Sequence, residues 1–453
     1  MTHVTIIGGG PGGYEAALVA SRLGAEVTLV ERDGVGGSTV LTDCVPSKTL
    51  IATSDLLTDV SGAAELGIEV PKAVRADLAA VDKRVLALAL AQSADIAERL
   101  LASGVTVISG TATIESAQVV VVDGKQRIET DAILLATGAH PRISDDAQPD
   151  GERILTWEQV YALEELPEHM IVVGSGVTGA EFASAYNGLG ATVTLVSSRD
   201  RVLPGEDADA AEVIEDVFKR RGMTVMGNSR MASVERTGAG VRVTLTDGRT
   251  VEGSHCLLAL GSIPNTDGLG LDTIGVQLKD DGFIWVDRVS RTSVRGIYAA
   301  GDCTGVLMLA SVAAQQGRIA MSHLLGDAVH PLDLGKVSSN VFTSPEIATV
   351  GLSQKQVDET DIQVDVAMLP LASNPRAKMQ GVHDGFVKIF SRRGMGIVVG
   401  GVVVGPKASE LIHAISLAVS ASLTVDQVAD SFTIYPSLSG SVAEAARRLH
   451  GAP

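Results

Sequence analysis

Two glycine clusters, one near each end of the first half of the chain, carry the residues best suited to chemistry. Gly8-Gly9-Gly10-Pro11-Gly12-Gly13 satisfies the spacing G-x-G-x-x-G, and Glu31 closes the next apolar run, Glu26-Val27-Thr28-Leu29-Val30. Glycines let a backbone approach a pyrophosphate. A helix N-terminus adds free N–H groups and a positive dipole end. A carboxylate after the second strand accepts hydrogen bonds from a ribose diol. The chemistry recurs at Gly174-Ser175-Gly176-Val177-Thr178-Gly179. There Ser197 takes the place of Glu31, followed by Ser198, Arg199 and Arg201. Glu31 would repel a 2′-phosphate, whereas its loss beside arginines favours one, so NADPH is expected at the second site, with NADH as the alternative.

The elements that must hold these residues follow from the spacing. Residues 4–31 read as strand, glycine turn, helix, strand. Placing Gly8 on Gly174 places Gly24-Ala25-Glu26-Val27-Thr28-Leu29-Val30 on Gly190-Ala191-Thr192-Val193-Thr194-Leu195-Val196 without a gap. This internal repeat implies two bound dinucleotides, with electrons passing between them. Between the repeats, the spacing predicts a long helix over 76–101 with an apolar face of Val81, Val85, Leu86, Leu88, Ile96 and Leu100. Short strands are expected around 105–108, 118–122 and 127–129. Asp131–Gly138 reads as a buried strand ending in Ala-Thr-Gly, and Cys256–Gly261 is its counterpart. From about 336 the chain turns to short β-branched strands near 341–342, 347–351, 385–390 and 396–401, with helices at 407–421 and 424–430.

Composition bounds the function. With 45% hydrophobic residues, 3% aromatics and 49 glycines, the chain suits an α/β protein with many tight turns and not a disordered one. The net charge of −18 excludes a nucleic-acid partner unless a local basic stripe exists. Arg392-Arg393 and Arg447-Arg448 are too short to form one. No apolar run is long enough for membrane insertion, and no secretory signal precedes the first strand. Cys44, Cys256 and Cys303 are far apart, with no metal-binding spacing and no disulfide framework. A reducing, cytoplasmic location is the expectation.

The stretch Gly36-Gly37-Ser38-Thr39-Val40-Leu41-Thr42-Asp43-Cys44-Val45-Pro46-Ser47-Lys48, which should open the second helix, resembles the redox segment of the pyridine nucleotide–disulfide oxidoreductases. That family includes lipoamide dehydrogenase, glutathione reductase and mercuric reductase. Its pattern is Gly-Gly-x-Cys, four residues, then Cys-x-Pro-Ser-Lys. Here Thr39 stands at the first cysteine. The family's C-terminal His-Pro-Thr, two residues, Glu is matched by Tyr435-Pro436-Ser437-Leu438-Ser439-Gly440, so tyrosine replaces histidine and glycine replaces glutamate.

The resemblance implies an α/β fold with two tandem Rossmann-like dinucleotide-binding domains and an α+β C-terminal dimerisation domain. Residues 1–148 with 267–335 would bind FAD, 149–266 NAD(P), and 336–453 would form the interface. The implied FAD contacts are Gly8, Gly10, Gly13, Glu31, Gly37, Ser38, Thr39, Lys48, Ala112, Thr137, Gly138, Gly301, Asp302 and Ala310. The implied NAD(P) contacts are Gly174, Gly176, Gly179, Glu181, Ser197, Ser198, Arg199 and Gly261. Lys48 and Glu181 would pair beside the nicotinamide, and the lysine's charge would favour negative charge on the reduced ring. A homodimer or a dimer of dimers is expected.

Attacking cysteine, base and orienting carboxylate are missing together, while the cofactor motifs are intact. This points to a changed oxidative half-reaction. A tyrosine with pKa near ~10 cannot replace the histidine at neutral pH. The expected activity is electron transfer from NAD(P)H through FAD directly to a small acceptor, above all a quinone, with protons from solvent or Tyr435. The chain is similar throughout to the actinobacterial lipoamide-dehydrogenase-like quinone reductases. Cys44 is expected to be a bystander thiol near the flavin, with a charge-transfer thiolate or sulfenic-acid centre as the alternatives. Two other functions stay open: a soluble pyridine nucleotide transhydrogenase, and a non-catalytic FAD-binding interaction protein. The small core residue Cys303 is expected to be unreactive.

Overall fold

Runs of β-branched residues behind glycine turns build the parallel sheets here, because strands covered on both faces need apolar side chains in both directions. A computed structural model describes residues 1–71 and 74–450. The last three residues of the expected interface domain lie outside the described residues. The chain divides into two units. The first comprises Met1–Thr49, Asp82–Arg142 and Gly261–Asp333; the second comprises Leu50–Val81, Ile143–Leu260 and the chain from Leu334 onward.

The first unit holds a five-stranded parallel sheet in the order Ile297–Ala299, Ala132–Leu135, His3–Ile7, Glu26–Glu31, Thr106–Ser109. Val4, Ile6, Leu29 and Leu134 are fully sealed in its core with the helix Pro11–Arg22. Burial of each such side chain contributes roughly 1.5–3 kcal/mol. The second unit repeats the sheet as Thr224–Met226, Thr192–Val196, His169–Val173, His255–Leu258, Ile154–Thr156. The duplication extends to a three-stranded antiparallel sheet beside each, residues 112–129 in one and 231–253 in the other. It reaches individual side chains: His3 Nε2 meets Thr28 Oγ1 at 3.0 Å, and His169 Nε2 meets Thr194 Oγ1 at 2.8 Å.

The second unit also contains a five-stranded antiparallel sheet, ordered Ser338–Val341, Glu346–Gly351, Ile397–Gly405, Phe386–Arg392, Val364–Pro370. Helix Ala408–Ala421 covers it through Ile412, Ile415 and Ala418. Among the described residues no helix is long and apolar enough to cross a membrane.

Several expectations are corrected. The stretch beginning at Gly36 makes two helices, Gly37–Leu41 and Cys44–Gly62, with a break at Thr42 and Asp43. The long helix is present as Leu78–Ala102, but Leu86 and Leu88 are exposed. Its buried face is Leu78, Asp82, Val85, Ala89, Ile96 and Leu100. A carboxylate at Asp82 interrupted the apolar stripe and hid its phase. Strand Val364–Pro370 and helix Gly440–Arg447 are additional to the elements expected.

Candidate functional site

The two glycine turns have nearly superimposable constraints. Gly8 has φ 103°, and a Cβ there would lie 2.2 Å from the Ala136 carbonyl oxygen; one at Gly13 would lie 1.8 Å from the Gly8 carbonyl oxygen. In the second unit Gly174 has φ 111°, with a Cβ 2.1 Å from Ala259 O, and Gly179 would meet Gly174 O at 1.8 Å. Gly10 and Gly176 stand at the N-caps of helices Pro11–Arg22 and Val177–Leu189 with no side-chain cap, leaving N–H groups of the first turn to a ligand.

Glu31 is wired into the first turn. Its Oε2 accepts from the Gly9 amide at 2.5 Å, and its Oε1 accepts from Asp33 and Gly34 at 2.7 and 3.3 Å. The same position in the second unit is Ser197, which is fully buried. Its hydroxyl meets Ser175 Oγ at 2.7 Å and accepts from the Arg199 amide at 3.1 Å. Ser197 therefore keeps one bond of the Glu31 pattern, from the amide two residues on, and braces the turn through the Ser175 hydroxyl where Glu31 uses the Gly9 amide. The exposed neighbours are Ser198 and Arg199. Asn228 donates its amide to Arg199 O at 2.7 Å, and Ser229 donates its amide to Ser197 O at 2.7 Å. This brings exposed Arg230 to the same edge, a cation that no spacing in the sequence marked.

The remaining residues expected to meet FAD gather in the first unit. The Gly36 amide bonds Gly9 O at 2.9 Å, which sets Gly37, Ser38 and Thr39 beside the first turn. The Gly110 amide bonds Glu31 O at 2.9 Å and leads into the strand beginning at buried Ala112. Thr137 Oγ1 donates to Asn265 O at 2.7 Å, and the Asn265 amide donates to Gly138 O at 3.0 Å. Gly261, expected on the NAD(P) side, falls in this first unit, where its carbonyl accepts from the Arg142 amide at 2.8 Å. Gly301 (φ 83°) donates its amide to buried Gln316 Oε1 at 2.9 Å, which aims the turn carrying Asp302; Ala310 begins helix Ala310–Leu324. Burial, and then the Asp43 carboxylate, push the Asp302 carboxyl up to about 6. Asp43 thus shares a neighbourhood with Asp302, one of the implied FAD contacts, a pairing nothing in the sequence signalled.

Lys48 and Cys44 lie in the first unit on helix Cys44–Gly62, both partly buried. Cys256 and Cys303 are fully buried; burial pushes the Cys303 thiol up to about 11 and raises Cys256 further. Such thiols are inert at neutral pH. Glu181, in the second unit, is buried, and its Oε1 accepts from the Phe342 amide at 2.8 Å. Tyr435, also in the second unit, is 82% exposed.

The residues present fit the cofactors they were expected to hold. Each turn is a cradle that a Cβ would fill, with open helix amides above and, in the first unit, the Glu31 carboxylate expected to meet a ribose beside it.

Residues 2–317 match the family described as pyridine nucleotide-disulphide oxidoreductase, and residues 337–446 match the dimerisation domain of the same family. The chain is 54% identical to NAD(P)H dehydrogenase (quinone) of Mycobacterium tuberculosis, over 99% of this chain and 94% of that protein. It is 35% identical to dihydrolipoyl dehydrogenase of Chlorobaculum parvum, over 98% of this chain and 96% of the relative. The crystal structure of LpdA from M. tuberculosis superposes with a TM-score of 0.95 at 54% identity, covering 99% of this chain and all of that one. The flavoprotein disulfide reductase RclA of Escherichia coli shares the fold, with a TM-score of 0.88 at 24% identity over 98% of this chain and 99% of that one.

Proposed function

Because the chain belongs to the pyridine nucleotide-disulphide oxidoreductase family, we propose that it is an NAD(P)H:quinone oxidoreductase that passes electrons through FAD straight to a quinone, without a redox disulfide. The observation that carries the reading is Thr39 at the position of the attacking cysteine. Cys256 and Cys303, both sealed in cores, offer Cys44 no accessible thiol in its place. The 54% identical relative named NAD(P)H dehydrogenase (quinone) supports the choice of acceptor.

FAD, when bound, supplies the two-electron relay. The chain's own residues bind and orient. Gly8, Gly10 and Gly13 with the first-turn amides take the pyrophosphate, Glu31 takes the adenosine ribose, and Asp302 takes the ribityl hydroxyls. Gly174, Gly176 and Gly179 do the same for NAD(P)H, and the absence of a carboxylate at Ser197 leaves Ser198, Arg199 and Arg230 to receive a 2′-phosphate. NADPH is therefore the preferred donor. The balance is NAD(P)H + H⁺ + quinone → NAD(P)⁺ + hydroquinone. The extra proton comes from solvent or from the Tyr435 hydroxyl. The working form is a homodimer.

The test is anaerobic reduction of the flavin-loaded protein by NADPH, followed by mixing with a benzoquinone, lipoamide or a thio-NAD analogue. Fast reoxidation by the quinone alone is expected. Reoxidation by lipoamide restores a thiol route, and reoxidation by thio-NAD selects a transhydrogenase.

A further inference from the structure

The loop after the second nucleotide-binding strand, residues 197–206, is pinned along its length. At its start the buried Ser197 hydroxyl contacts Ser175 Oγ (2.7 Å) and the carbonyls of Arg199 and Arg201 (3.1 and 3.3 Å). In its middle Leu203 adopts the left-handed region at φ 51°, which an L-residue of this bulk avoids unless its surroundings enforce it. The Leu203 amide donates to the Ser175 carbonyl at 2.8 Å, tying the loop to the second glycine turn. At its end Asp207 caps helix Ala208–Arg220: its Oδ1 accepts from the amides of Asp209 and Ala210 at 3.1 and 3.3 Å.

The other oxygen of Asp207 reaches into the antiparallel sheet. Lys388 Nζ donates to Asp207 Oδ2 at 2.9 Å and to Asp209 Oδ2 at 2.7 Å. The Lys388 side chain is 4% exposed and that of Asp207 is 1% exposed. Burial pulls the ammonium's pKa down, but its bonds to Asp209 and Asp207 outweigh this and hold it above the usual value. Lys388 sits among buried Val387, Ile389 and Phe390 on strand Phe386–Arg392, where an apolar residue would pack without desolvating a charge. A buried ion pair at such a place contributes geometry more readily than stability: its short, directed bonds fix where the end of the loop stands.

We propose that Lys388 is a positioning residue for nucleotide recognition, holding from the dimerisation sheet the far end of loop 198–206 so that Ser198 and Arg199 meet the ribose end of NAD(P)H. The inference rests on the reading that this loop serves NAD(P)H. It makes Lys388 a determinant of nucleotide affinity although it lies on a different sheet from every expected nucleotide contact.

Lys388→Met alone would strand a buried carboxylate and risk unfolding, so the test uses Lys388→Met with Asp207→Asn. Asparagine caps a helix as well as aspartate, and no buried charge is left unpaired. In the flavin-loaded protein the double variant should raise KM for NADPH roughly tenfold while kcat with benzoquinone stays within about twofold. The preference for NADPH over NADH should shrink, and Lys388→Arg should restore most of it. A folded double variant with unchanged KM for both nucleotides overturns the inference alone. So does a fall in kcat and melting temperature with no change in nucleotide preference, which marks a merely structural role. Failure of either nucleotide to reduce the wild-type flavin overturns the functional reading, and this inference with it.

Discussion

Glu31 and Ser197 occupy one position of a duplicated fold, and each ties into its glycine turn, Glu31 through the Gly9 amide and Ser197 through the Ser175 hydroxyl. Only Glu31 is an acid, so the NADPH preference proposed for the second site rests on a difference in side-chain chemistry at this one position. The same reasoning assigns the cysteines. Two are sealed in cores, and Cys44 is the one partly exposed thiol among them. In the disulfide-free mechanism proposed above, Cys44 is expected to be a bystander thiol. Cys44→Ser should therefore keep benzoquinone turnover within about twofold at full FAD occupancy, because serine preserves size and removes only the thiol. Steady-state assays with the flavin quantified by absorbance check this. A loss of turnover with flavin still bound would give the thiol a part in the reaction.

At the scale of elements, helix Leu78–Ala102 shows how one residue changes a pattern. Asp82 is 5% exposed, and no donor among the described residues reaches its Oδ2. Burial raises its carboxyl from the ordinary range to about 7. The folded value lies above the unfolded value of 3.8, so the folded state retains a proton that the unfolded chain releases. Stability from this group is present below the unfolded value and is lost as pH rises through about 7. Asp82→Asn should then melt above wild type at pH 8, with the gap closing towards pH 4. Thermal melts across that range decide the matter, and an equal gap at both ends would refute it. Leu86 and Leu88 fit the period of a core face but lie in solvent, because the buried face of this helix carries the Asp82 carboxylate.

Across the whole molecule, apolar side chains in solvent mark an unfinished surface. Phe432, Ile434 and Tyr435 are 106%, 81% and 82% exposed in a single chain, within the segment matching the dimerisation domain. A second copy of the chain is the expected cover. Ile434→Asp should weaken the dimer by roughly tenfold or more, read by sedimentation equilibrium, because a charge in a desolvated interface loses its hydration. An unaltered dimer would place the interface elsewhere. The sequence by itself determined the two nucleotide turns, the acid at Glu31, the duplication and the family. Those signals are local: a glycine whose Cβ would lie 1.8 to 2.2 Å from a backbone atom leaves no substitute, and five-residue apolar runs show their period wherever they fold. Tertiary structure decided the rest. The two edge strands Ile297–Ala299 and Ile154–Thr156 complete equivalent sheets from opposite ends of their repeats. Asp43 acts on Asp302, and Lys388 binds an aspartate 181 residues away. Such pairs leave no periodic trace, since a charge destined for burial looks like any surface charge until the chain closes around it.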